Sequence, residues 1–107
     1  MSREGLTQMT KVEVVVSGTD VPAVRGVLEG AGATGYTSVS GVSGLGHHGY
    51  HQGGLLFNDR NMLELLITVV PHERADALLA GLRPLLEQSS GVMFVSDTYV
   101  SRPEYFG

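Results

Sequence analysis

Two strand-then-helix units, separated by a long stretch with neither period, leave this chain few folds to adopt. Lys11 to Ser17 reads Lys-Val-Glu-Val-Val-Val-Ser, which is β-branched and partly alternating and predicts a strand. Ser17-Gly18-Thr19-Asp20 predicts a turn that caps a helix, with Pro22 in its first turn. Val24, Val27, Leu28 and Ala31 then recur at helical spacing, and Gly30 and Gly32 end the helix. In the second unit, Met62 to Val70 is nearly continuous apolar sequence broken by Glu64 and Thr68, which predicts a central strand buried on both faces. His72 to Gln88 follows as a helix with Ala75, Leu78, Leu79, Leu82 and Leu86 on one face. Pro84 is expected to kink or shorten it, and Ser89-Ser90-Gly91 closes it. Each unit leads into a further strand. The first is Thr34 to Val42, with Gly41 and Gly44 implying a bend near its end. The second is Val92 to Ser96, with Thr98 to Ser101 as a short fifth strand.

The order is therefore β-α-β, a long loop, then β-α-β. That is the α+β, ferredoxin-like split βαβ arrangement, a four-stranded antiparallel sheet with two helices on one face. The other sheet face needs cover, which predicts an oligomer. At 107 residues there is room for one domain, 1–107. Residues 1–10 are expected to form a flexible terminus, and 102–107 a tail whose Tyr105 and Phe106 can dock.

Charge and cysteine content narrow the function classes. A net charge of −4 and no Lys/Arg-rich run argue against nucleic acid as a partner. With no cysteine, disulfides, thiol catalysis and Cys-based zinc sites are excluded. Met1 to Thr10 has no apolar h-region, so a cytoplasmic protein is expected, with no apolar run long enough to span a bilayer.

Nine of the 15 glycines lie between Gly30 and Gly54, and from Gly30 to Asn58 there is no Asp, Glu, Lys or Arg. Within that stretch, Ser43-Gly44-Leu45-Gly46-His47-His48-Gly49 follows a strand. Glycine lets backbone approach a ligand closely, and successive N–H groups can form an anion-binding nest. The run opens no helix and lacks Gly-Lys-Ser/Thr, so it is neither a Walker A loop nor a Rossmann fingerprint. Residue type alone slightly favours a flexible hairpin tip over a ligand-binding loop. His47, His48 and His51 read as a solvated loop, since no acidic or thiol ligand accompanies them, and no metal is expected; the alternative is a metal-binding trimer that resembles the copper-tolerance proteins of this topology. Asp59, Glu64, Glu73 and Asp76 make no evident acid–base pair, so an enzyme is not expected. The cations available to an anion are Arg60, Arg74, Arg83 and Arg102, of which Arg102, after the last strand, stands out.

Together, Gly35-Tyr36-Thr37, Val42, Gly44-Leu45-Gly46, the strand ending Val69-Val70-Pro71, and Gly91-Val92-Met93-Phe94-Val95 resemble the PII signal-transduction proteins over roughly residues 11 to 102. The resemblance implies a homotrimer with adenine nucleotides in clefts between subunits. It implies that 46–61 is the T-loop, which touches a regulated transporter or enzyme, so that any membrane contact is indirect. Gly44, Leu45, Gly46 and His47 would lie around the phosphates. Gly35, Tyr36, Thr37 and Val69 would read the adenine, and Gly91, Val92, Met93 and Phe94 would wrap the ribose and phosphates. The family's Gly-Lys is Gly91-Val92 here, its Arg-x-Arg is reduced to Arg102, its magnesium-ligating glutamine becomes His48, and Tyr50 is no safe match for its modifiable tyrosine. Fewer cations imply ADP or AMP over ATP, without magnesium and 2-oxoglutarate. The short, uncharged loop resembles the PII-like branch associated with carboxysomes and inorganic carbon. Bicarbonate would then meet Gly44 and Gly46 plus a cation, Arg60 or Arg102.

Overall fold

A computed structural model describes residues 4–42, 44–46, 49–51 and 62–107. The first strand, β1, spans Thr7–Ser17, four residues longer at its start than its β-branched run predicts. Thr7 to Thr10 pair with Val100 to Asp97 of the last strand, and Met9 and Thr10 are buried. Those four positions therefore leave the expected flexible terminus, because a neighbouring strand supplies ladder partners that no local pattern reveals. At the other end of β1, the Ser17 hydroxyl accepts a hydrogen bond from the Thr19 amide at 3.3 Å. A 3-10 turn, Gly18–Asp20, follows and feeds helix α1, Val21–Gly30.

Strand β2 is Thr37–Val42, without the expected residues 34–36. Its register against its sheet neighbour, the strand that starts at Leu63, shifts between Ser40 and Val42, and Gly41 takes φ of +75° there. That bulge is the expected bend, placed where only glycine adopts the dihedral without strain. Short strands β3, Gly44–Gly46, and β4, Gly49–His51, pair antiparallel as a separate ribbon. The remainder of the expected 46–61 loop, including His47, His48 and Arg60, lies outside the described residues.

Strand β5, Leu63–Val70, is central in the sheet order β2-β5-β1-β6, and all three pairings are antiparallel. Leu66, Thr68 and Val70 are buried, whereas the alternate positions are only half-buried, so one face is covered rather than both. Helix α2 runs from His72 to Glu87 straight through Pro84. Proline there removes the one N–H that would bond the Ala80 carbonyl, and the helix still continues three residues beyond it. Ala75, Leu78, Leu82 and Leu86 of α2 and Val24 and Leu28 of α1 pack on Val12, Val14, Val16, Leu66 and Val70 of the sheet. The last strand, β6, is continuous over Val92–Val100, not two strands. Its polar middle, Ser96-Asp97-Thr98, pairs in register with Lys11-Thr10-Met9. The chain finishes in a 3-10 turn, Pro103–Tyr105. Among the described residues no helix is long and apolar enough to cross a membrane.

Candidate functional site

Strand register sets where the predicted ligand residues stand. On the face away from the helices, Val39, Leu65, Val15 and Val92 form one row across all four strands. Thr37, Ile67, Glu13 and Phe94 form the next, and Val69 and Lys11 the one after. This face is apolar at its margins: Phe94 is 57% exposed, Val92 49% and Val39 47%. Among the described residues of these rows the charges are Lys11 and Glu13, whose Nζ and Oε1 lie 3.9 Å apart.

β2 and β6 are the two opposite edges of the sheet. Thr37 and Phe94 share a row yet are three strand spacings apart, about 14 Å. A single chain thus does not bring Gly35-Tyr36-Thr37 and Gly91 to Phe94 into one pocket. Each group sits on its own unpaired edge, and a second copy that sets one edge against the other would unite them. Along the strands, Gly91 lies at the same end of the sheet as the start of the Gly44–Gly46 ribbon, because Val92 pairs with Val15 and Val42 with Leu63, which opposes Ser17. Thr37 lies toward the other end, about 17 Å from Val42 along β2.

Local contacts hold both edge segments. The buried Thr68 hydroxyl donates to the Gly35 carbonyl at 2.7 Å. The Thr34 hydroxyl donates to the Tyr105 carbonyl at 2.8 Å, which ties the final 3-10 turn to the chain entering β2. The Tyr36 hydroxyl accepts a bond from Arg25 of α1 at 3.4 Å, and that bond holds the guanidinium above its ordinary range. On the β6 edge, a Cβ at Gly91 would stand 2.7 Å from Leu86 Cδ2, 2.8 Å from Val16 Cγ1 and 3.2 Å from the Val15 carbonyl oxygen. Glycine there lets α2 close onto the start of β6, and the Gly91 amide donates to Ser89 Oγ at 3.1 Å.

The cations are distributed differently from what the spacing implies. Arg102, the cation singled out by position, lies 5.5 Å over the Tyr105 ring and donates to its hydroxyl at 3.2 Å, so its guanidinium is turned into its own segment. Arg74 donates to the Gly32 carbonyl at 2.9 Å. Arg83 instead lines a 210 Å³ hollow with Leu86, Glu87, Gly91, Val92 and Met93. Position in the sequence does not distinguish it from the other arginines, because only the α2–β6 turn brings it beside Gly91. A second cavity, 340 Å³, lies at the Gly41 bulge and carries Glu64 as its charged lining residue. Among the described residues no cluster of three His, Cys, Asp or Glu side chains could hold a metal, and His47 and His48 fall outside them.

A split βαβ subunit with candidate ligand segments divided between its two free edges is a ferredoxin-like domain. Comparison with known proteins narrows that class. The family model for nitrogen regulatory protein P-II matches residues 9–105. The chain is 40% identical to CPII, a nitrogen regulatory PII-like protein from Thiomonas intermedia K12, in a structure bound to ADP, AMP and bicarbonate. That comparison covers 94% of this chain and 95% of that one, with a TM-score of 0.88. A second structure of the same protein, bound to ADP and bicarbonate, matches at 37% identity over 95% of this chain and 97% of that one, with a TM-score of 0.85. A putative PII-like signaling protein from Thermus thermophilus shares the fold at 19% identity, with full coverage of both chains and a TM-score of 0.78. No curated protein matches. The chain belongs to the P-II family.

Proposed function

We propose that this chain is a PII-like sensor that binds adenine nucleotide, ADP or AMP ahead of ATP, with bicarbonate as a second ligand. The observation that carries the reading is the ligand set of the Thiomonas protein, ADP, AMP and bicarbonate, on a relative 40% identical along nearly the whole chain. The division of Gly35–Thr37 and Gly91–Phe94 between opposite edges supports clefts between subunits of a homotrimer, with the open sheet face buried at its centre. Gly44 and Gly46 would supply backbone to an anion at the end of the sheet where Gly91 lies. Signalling is conformational: a ligand that binds one state of the 46–61 loop shifts its population by the difference in affinity. A transporter or enzyme of carbon or nitrogen metabolism would read that state in the cytoplasm, and no chemistry on the nucleotide is needed. The carboxysome-associated branch fits the bicarbonate ligand.

Calorimetric titration of ATP, ADP and AMP, with and without bicarbonate at fixed pH and ionic strength, tests this. ADP or AMP is expected to bind at least tenfold tighter than ATP, about 1.4 kcal/mol. Bicarbonate is expected to tighten the nucleotide. ATP binding as tight as ADP would remove the preference, and nucleotide affinity indifferent to bicarbonate would remove the second ligand.

A further inference from the structure

A bound nucleotide brings negative charge to its phosphates, and the described cations differ in their freedom to meet it. Lys11 is on the open sheet face beside Glu13. Arg25 is held by Tyr36, Arg74 by the Gly32 carbonyl and Arg102 by Tyr105. Arg83 is different. Among the described residues its ion-pair partner is Glu87, which lies 3.8 Å away, beyond hydrogen-bond length, and both side chains are about 70% exposed. Such an exposed pair contributes little. Its order along the helix, cation before carboxylate at i,i+4, is the less favourable one, and Glu87 stands in the last turn, where the helix dipole disfavours negative charge. The guanidinium is thus poised at a ligand-type backbone without a strong bond to give up.

The hollow it shares with Gly91, Val92 and Met93 has a volume of 210 Å³, below the roughly 300–1,000 Å³ of pockets that enclose a drug-sized ligand. It suits one end of a nucleotide whose remainder rests on another surface. Among the described residues that line this hollow, Arg83 is the one cation and Glu87 the one anion. A planar guanidinium offers the paired donors that phosphate oxygens accept.

Resting on the nucleotide reading above, we propose that Arg83 binds the terminal phosphate of the adenine nucleotide in the hollow at Gly91 and Val92, and that Glu87 competes with that phosphate for it. Arg83 is then a determinant of how many phosphates the site favours, supplied from α2 rather than from β6 or the final turn.

Titrations of ADP and AMP into the wild-type chain, Arg83→Gln, Arg83→Lys and Glu87→Gln test the proposal, with thermal melts to confirm that each variant folds. Arg83→Gln is expected to weaken ADP at least tenfold and AMP less, and Arg83→Lys to recover part of the loss. Glu87→Gln is expected to tighten ADP two- to threefold. ADP affinity within twofold of wild type in Arg83→Gln would overturn the proposal and leave the nucleotide reading standing. A wild-type chain that binds neither nucleotide would overturn both.

Discussion

The two faces of the sheet come from the same four strands, yet they are finished differently. On the helix side, Val12, Val14, Val16, Leu66 and Val70 are each no more than 1% exposed, sealed by two leucine-bearing helices. On the other side, Val15, Leu65, Ile67 and Val69 are half-buried, and Val39, Val92 and Phe94 are open. An antiparallel sheet with one solvated face usually alternates apolar and polar residues. Here β5 is apolar along the open face, at Leu65, Ile67 and Val69, as well as at Leu66 and Val70 on the covered one, so the chain carries two core-forming surfaces and covers one of them itself. The open face also holds an ion pair, Lys11–Glu13, set among aliphatic neighbours. Further copies of the chain, as in the proposed trimer, would complete such a surface and would also bring the β2 and β6 edges of different chains together.

Three substitutions can break or sharpen that contrast. Leu82→Ala opens the sealed side and is expected to cost about 2–5 kcal/mol of folding stability, read from urea unfolding. It should act on the fold itself. Phe94→Glu acts on the open side and is expected to give a folded chain of monomeric mass by light scattering. The burial it forfeits is about 1.5–3 kcal/mol per subunit. If Phe94→Glu lowers stability as much as Leu82→Ala while leaving the oligomer intact, the two faces are not divided in this way. Gly91→Ala lies where helix, covered face and β6 edge meet, and overpacking there is expected to cost about 1–3 kcal/mol. Its thermal midpoint should fall with oligomer mass unchanged.

Much of the fold is legible in residue patterns because those patterns report burial. The β-branched run of β1, the apolar run of β5 and the leucine stripe of α2 all face the core, so their periods survive. What the patterns miss is decided by partners. Thr7 to Thr10 look like a polar terminus until Val100 to Asp97 lie beside them, and Ser96-Asp97-Thr98 look like a break until β1 supplies the ladder. Pro84 costs α2 one hydrogen bond, less than its leucine face gains by continuing. At the site, Gly91 is legible as a backbone position, but its reason, the approach of Leu86 and Val16, is three-dimensional. Arg102 looks free because sequence does not record that Tyr105, three residues on, turns back beneath it.

The place of β1 in the sheet also has a consequence for how the protein is made. β1 lies between β5 and β6, and Thr7 pairs with Val100 across almost the full chain. Its first neighbour in the sheet, β5, is synthesised more than forty residues later, and its second is the last strand of all. Contacts of such sequence separation slow folding, because distant ends must meet before they are rewarded. The nascent chain therefore carries an apolar strand without a sheet neighbour until β5 is made, and this sheet closes only after residue 100 has emerged. Deletions that remove β6 should consequently yield an aggregating chain rather than a smaller stable domain.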